Sequence, residues 1–393
     1  MRWSRWSIRP LLAVLLTLWL VAPACAAAPR NVILLIGDGM GLEQVKAAGL
    51  YAGGEAGSLA FEKHRLGQMT THSADRGGPK PGVTDSAAAG TAMATGAKTN
   101  NGVIARTPDG EDLTTVLEVF ARAGKRTGLV TTCPMTHATP AGFAAHVANR
   151  HQYDDIAEDY FERSRPNVLF GATYPKDKGV DAQQAREAGY EVVTSRHALD
   201  AFVKKADDAD DVHVSGQFSS AMMPWEYTGP LPEKAGGHEV QAGATYETAP
   251  HLTEMADAAI RLLAPGREGF FLMIEGGTID WACHANCIER CVAETVEFAN
   301  TCRRVLDWAR QRRDTLVIIT ADHECGGLKV VRGRGRGNMP EVTWGSKHHT
   351  DVPVPVYAIG PGAERLKGEI DNVDLFPVML GRPAPAAAEA AAR

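Results

Sequence analysis

The chain has 393 residues, enough for one large domain or two small ones, with 41 basic against 47 acidic side chains and a formal charge of −6. A net acidic balance of this kind excludes a protein built to coat nucleic-acid backbones.

Residues 1–26 read as a signal peptide. Arg2, Arg5 and Arg9 form a positive start, Leu11 to Val21 is an apolar core too short to span a bilayer, and Ala22-Pro-Ala-Cys-Ala26 offers small-residue cleavage sites. The mature chain is therefore expected to be periplasmic or secreted, with 27–381 as one domain and the Ala/Pro-rich stretch 382–393 as a disordered tail. Cys25 would carry the lipid of an anchored form, although Ala22 and Pro23 fit that processing signal poorly. Cleavage after Ala26 leaves six of the seven cysteines, and an even number in an exported protein predicts disulfides. Cys283, Cys287 and Cys291 recur every four residues and are expected on one helical face. A cysteine metal site is the competing reading, but no C-x-x-C pair supports it.

In chain order, Asn31 to Ile36 reads as a buried strand that ends in I-G-D-G-M-G, 36–41. A helix is expected to begin at Ser86 in V-T-D-S-A-A-A-G-T, 83–91, because Ala87 to Ala89, Ala92 and Ala94 are strong helix formers. An amphipathic helix near Leu113 to Ala123 precedes a strand at Arg126 to Thr131. In 136–150, His137 and Thr139 sit at a helix start with Pro140 in its first turn, and Arg150 is expected about three turns on. The more polar region Tyr153 to Thr248, with the acidic run Asp207 to Asp211, reads as peripheral helices and loops of the same domain. Strands follow at Phe270 to Ile274, Thr315 to Thr320 and Val354 to Ile359, with a helix over Ile288 to Arg310. The alternation predicts a three-layer α/β/α architecture around a mostly parallel sheet, with ligands outside the carboxyl ends of the strands.

The polar clusters fall at those ends. Asp38 lies between glycines, which leave its carboxylate open. Asp280 and His284, four apart in E-G-G-T-I-D-W-A-C-H, 275–284, point from one helical turn at a common ion, and Glu275 precedes them. Asp322 and His323 follow the strand at 315–320, and His348 and His349 lie downstream. Carboxylate and imidazole together suit zinc, and an all-oxygen set suits magnesium. The donors exceed what one ion can use, and two metals are a known solution for in-line phosphoryl displacement. Ser86, at a helix N-terminus where N–H groups and the helix dipole favour an anion, is a candidate nucleophile; an ordinary N-cap serine is the plain alternative. Arg150 is the side chain suited to a two-pronged grip on phosphate, where a surface ion pair is the commoner fate of an arginine. The stretch G-T-A-M-A-T-G-A-K-T, 90–99, lacks the spacing of a nucleotide P-loop.

These motifs, with A-T-G-A-K-T-N-N-G at 94–102, resemble those of the alkaline phosphatases, in order, from about Arg30 to Phe376. The resemblance implies an alkaline-phosphatase-like fold and hydrolysis of phosphate monoesters through a phosphoserine, with release of inorganic phosphate. It implies Ser86 as nucleophile and Arg150 as the substrate-phosphate ligand. It implies one zinc on Asp280, His284 and His349, a second on Asp38, Asp322 and His323, and magnesium on Asp38, Thr139 and Glu275. His349 is preferred to His348 because H-T-D, 349–351, is similar to the family's H-T-G. Asp85 is expected to orient Arg150 or the serine backbone. Two positions depart from the best-known bacterial pattern: His137 replaces an aspartate near magnesium, and Trp281 replaces a lysine that reaches phosphate through water. That pair resembles cold-active marine bacterial members. A homodimer is implied by the resemblance alone. The alternatives are a phosphodiesterase or sulfatase of the same superfamily and, from a different class, an inactive exported metal- or phosphate-binding protein.

Overall fold

The computed structural model describes residues 28–75, 82–175, 178–206, 212–231 and 243–383. The expected signal peptide with Cys25, the run Asp207 to Asp211 and all but the first two residues of the expected tail lie outside the described residues. The strands are β1 (Asn31–Gly37), β2 (Arg65–Thr70), β3 (Arg126–Pro134), β4 (Val168–Thr173), β5 (Glu191–Val193), β6 (Val214–Ser220), β7 (Phe270–Gly276), β8 (Thr315–Thr320), β9 (Glu324–Cys325), β10 (Lys329–Arg332), β11 (Glu341–Thr343), β12 (His349–Thr350), β13 (Val354–Ile359) and β14 (Gly368–Asp371). Ten of them form one sheet in the order β14-β2-β13-β8-β1-β7-β3-β4-β6-β5. Only β13 runs against its neighbours; the remaining pairings are parallel.

The centre of this sheet is buried, which is why β1, β7 and β8 read as nearly continuous apolar runs. Their register sets the site. Ile36 of β1 lies opposite Glu275 of β7 on one side and Thr320 of β8 on the other. Asp38, Glu275 and Asp322 therefore leave the sheet at one carboxyl edge. Two antiparallel pairs lie outside the sheet, β10 with β11 and β9 with β12. The second pair places His349 opposite Cys325, two residues beyond His323.

The helix Ser86–Thr95 is buried along its whole length, which its small residues permit. It packs on the helix Ala138–Ala144 so closely that a Cβ at Gly142 would come 2.9 Å from the carbonyl carbon of Gly90. The long helix Ile288–Ala309 covers the sheet near β7 and β8 and packs on the short helix Thr278–His284.

Four expectations are corrected by the structure. The region 153–248 supplies β4, β5 and β6, which complete one half of the sheet. β6, VSGQFSS, is polar and β5, EVV, is three residues long, while β4, VLFGAT, has an apolar run of only three residues before its glycine, so none shows the long apolar run that marks β1. Arg150 is not on the helix that Pro140 opens. That helix ends at Ala144, Val147 pairs with Ile104, and the Arg150 N–H donates to Gly102 O at 2.7 Å. Cys283, Cys287 and Cys291 do not share one helix, because a break at Ala285–Cys287 separates the two helices that carry Cys283 and Cys291. The six cysteines among the described residues are buried free thiols, so no disulfide is formed among them.

Candidate active site

Ser86 is the first residue of its helix, and the cap is Asp85. Asp85 Oδ1 accepts from the Ala88 N–H at 2.9 Å. Its Oδ2 accepts from Nη1 of Arg150 and from the Gly102 N–H, both at 2.9 Å. One carboxylate thus starts the nucleophile's helix and holds the arginine beside it. The plain reading of Ser86 as an N-cap is replaced by this division of labour, and the serine hydroxyl is left to face His323, with Oγ 3.3 Å from Nε2. Asn101, in the 94–102 motif, accepts from the Asp85 N–H at 2.9 Å. Lys98 of the glycine-rich stretch turns away to Asp371 at 2.7 Å, in keeping with the absence of a P-loop.

Around His323 the acidic groups converge. Its Nε2 is 3.1 Å from Asp322 and 3.5 Å from Asp38, and all three residues are fully buried. Asp322 is aimed by two N–H groups, Gly39 at 3.1 Å and His323 at 2.9 Å. Gly39 has a positive φ of 70°, and a Cβ there would stand 2.8 Å from Oδ1 of Asp280, so a glycine lets the first strand's loop and the Asp280 helix approach.

On the helix Thr278–His284, Asp280 and His284 lie on one face as their spacing predicts, 3.2 Å apart. His349 completes a cluster, 3.6 Å from Asp280 and 3.1 Å from His284. Its neighbour His348 is exposed. Two backbone carbonyls settle the imidazoles: His284 Nδ1 donates to Lys347 O at 2.6 Å, and His349 Nδ1 donates to Thr84 O at 2.8 Å. Each ring therefore turns its Nε2 into the cluster, the arrangement by which histidine ligands are oriented toward metals. Cys325 brings a fourth donor within 4.8 Å of these three.

A third group lies behind. Asp38, His137 and Glu275 are buried and bring one donor each within 4.8 Å of one another. Thr131 donates to Oε2 of Glu275 at 2.5 Å, while Oε1 of Glu275 and Oγ1 of Thr139 are buried without a hydrogen-bond partner. His137 Nε2 faces Nη2 of Arg150 at 3.2 Å, and burial and that neighbouring charge push its pKa down to about 3. Trp281 is half-buried, its ring 6.0 Å from that of His137 and nearly perpendicular to it.

The electrostatics state what is needed. Burial and the charges of Asp322, Asp280 and Glu275 hold the Asp38 carboxyl well above its ordinary range. Burial likewise pushes Glu275 up to about 7. Burial opposes the charge on Asp280 too, yet the His284 hydrogen bond and the neighbouring imidazoles hold it below the usual carboxylate range. Both oxygens of Asp38, one each of Asp280 and Asp322, Oε1 of Glu275 and Oγ1 of Thr139 are buried without a hydrogen-bond partner. Buried carboxylates of this density are stable with cations between them. The donor chemistry, imidazole with carboxylate in two groups and mainly oxygen in the third, fits divalent metals.

Every side chain expected at the site is brought to this edge of the sheet. Sequence reasoning missed the Lys347 and Thr84 carbonyls, which carry no side-chain signal, and Thr131, two residues before Cys133 on β3. It also missed Glu294, whose buried carboxylate accepts from Thr278 at 2.6 Å at the start of the Asp280 helix.

Comparison with known proteins bears on the family and the fold. The family model described as Alkaline phosphatase matches residues 29–169 and 172–339. The chain is 37% identical over 360 residues to alkaline phosphatase 3 of Bacillus subtilis, covering 88% of this chain and 72% of that one. It is 35% identical over 439 residues to the streptomycin-6-phosphate phosphatase of Streptomyces griseus, covering 94% and 96%. Among solved structures it is similar to the alkaline phosphatase of the Antarctic bacterium TAB5, with a TM-score of 0.73 and 28% identity over 90% of this chain and 98% of that one. A histidine-to-aspartate variant of that enzyme holds magnesium in its M3 site.

Proposed function

The chain belongs to the alkaline phosphatase family, and from that premise we propose that it hydrolyses phosphate monoesters through a phosphoserine at Ser86. The observation that carries this reading is the position of the Ser86 hydroxyl, 3.3 Å from His323 at a buried helix N-terminus, with Arg150 held alongside by Asp85.

Asp280, His284 and His349 would hold one zinc, Asp38, Asp322 and His323 a second, and Asp38, Thr139 and Glu275 a magnesium. When bound, these ions supply positive charge that favours the serine alkoxide and offsets charge on the departing oxygen. Ser86 Oγ attacks phosphorus in line, the bond to the leaving alcohol breaks, and the phosphoryl group is held covalently. Water then displaces the serine oxygen, which restores Ser86 and releases inorganic phosphate. Arg150 and the helix N-terminus balance charge on the equatorial oxygens through both steps. The protein's share is positioning and electrostatics, which is most of what phosphoryl transfer requires. Asp85 fixes the arginine and does not move a proton.

The N-terminal pattern supports export, and the family resemblance supports a homodimer. The natural monoester is a matter for assay: p-nitrophenyl phosphate and streptomycin 6-phosphate are the first two to test, beside a diester with the same leaving group. Ser86→Ala should abolish the covalent phosphoenzyme that is trapped from a labelled monoester. A full covalent burst in that variant would show that Ser86 is not the nucleophile. Diester turnover above monoester turnover would favour the phosphodiesterase alternative.

A further inference from the structure

His137 meets two demands with one lone pair. Its Nε2 lies 3.2 Å from Nη2 of Arg150. A guanidinium only donates, so Nε2 is the acceptor and the proton of the neutral ring sits on Nδ1. The same buried ring offers a nitrogen within 4.8 Å of carboxylate oxygens of Asp38 and Glu275. Beside it, both oxygens of Asp38, Oε1 of Glu275 and Oγ1 of Thr139 are buried without a hydrogen-bond partner, as is Nδ1 of His137 itself. The pocket is built for a cation, and the ring that would help to bind it is already engaged by the arginine.

We propose that His137 makes these two contacts mutually exclusive, so that loading a cation between Asp38, His137 and Glu275 releases Nη2 of Arg150 for the substrate phosphate. If Nδ1 takes the ion, the neutral ring must carry its proton on Nε2, which then meets the arginine donor head on. If Nε2 takes the ion, its lone pair is consumed. Either choice breaks the His137–Arg150 contact, whereas a magnesium held by Asp38, Thr139 and Glu275 alone would leave it intact and give equal magnesium factors in the wild type and its His137 variants. Arg150 is not set adrift, because Nη1 keeps its 2.9 Å bond to Asp85. The inference rests on the phosphomonoesterase reading above and adds a regulation to it: third-site metal and phosphate strengthen each other's binding by the same factor, as linkage requires. A carboxylate at position 137 would have lone pairs enough for both partners and would lack this coupling.

The test is inorganic phosphate binding by calorimetry to the zinc-loaded enzyme at one pH, with and without magnesium, for the wild type, His137→Ala and His137→Asp. In the wild type, magnesium should tighten phosphate about tenfold. In His137→Ala phosphate should bind more tightly without magnesium than it does to the wild type, and in both variants the magnesium factor should fall to about threefold or less, the remainder being direct charge attraction. Equal factors in all three proteins overturn the proposal. A crystal structure of the magnesium-loaded, phosphate-free wild type gives a second reading that does not depend on a variant's folding. Arg150 Nη2 should lie beyond hydrogen-bond distance of His137, and a retained contact overturns the proposal. If the zinc-loaded wild type binds no phosphate at all, the functional reading itself fails, an outcome distinct from equal coupling.

Discussion

At the scale of single residues, the roles of Asp85 and Arg150 are tied together. Arg150→Ala removes a charge-assisted grip on phosphate of about 1.5–3 kcal/mol, so kcat/KM for a monoester should fall roughly 10- to 100-fold. It also leaves Oδ2 of Asp85 with only the Gly102 N–H. Unchanged kcat/KM would remove Arg150 from the site. His251 makes a pH prediction far from the metal ligands. Its Nδ1 lies 2.9 Å from Glu226, whose hydrogen bond outweighs burial and raises its pKa above the ordinary value. A histidine with a raised folded pKa adds stability in full below its unfolded pKa of about 6.5 and loses it as pH climbs through the folded value. The pair is only half-buried, so its worth is at most about 1 kcal/mol. His251→Ala should therefore lower the Tm more at pH 6 than at pH 9; an equal loss at both would mean that only packing against Tyr246 is at stake.

At the scale of elements, the serine helix is positioned by glycine. Its contact with the helix Ala138–Ala144 brings Gly90 against Gly142 and leaves no room for a methyl group at Gly142. Gly142→Ala should destabilise the fold by about 1–3 kcal/mol through overpacking. Because the second helix begins with Ala138 and Thr139 beside His137, it should also reduce magnesium affinity. Denaturant midpoints and magnesium titration check the two effects, and a variant as stable as the wild type would show that the helices can shift apart. Elements also show where reading from sequence succeeds. β8 and β13 match their expected ranges because their apolar runs have clear ends, and the Asp280–His284 pair falls on one turn because helical spacing is local. β4 to β6 were missed because their place in the sheet comes from neighbours, not from their own composition.

At the scale of the whole molecule, the sheet gathers Asp38, Glu275, Asp280 and Asp322 into one buried pocket from four points of the chain. Without counter-charge this arrangement works against folding, and cations that bind only the folded state add stability by mass action, about 2.7 kcal/mol at a hundredfold excess over Kd. Chelation should lower the Tm and abolish p-nitrophenyl phosphate hydrolysis, and zinc with magnesium should restore both. A Tm unaffected by chelator would mean that the carboxylates are held by protons instead. Family, parallel-sheet class and the candidate donor residues that the fold gathers were legible in the sequence, because motif spacing and apolar runs act over a few residues. The tertiary structure decided what separated segments do to each other. It made Asp85 rather than Ser86 the helix cap, took Arg150 off its expected helix, left the cysteines as thiols and set His137 against Arg150. Those outcomes depend on distances between residues far apart in the chain, which no local pattern encodes.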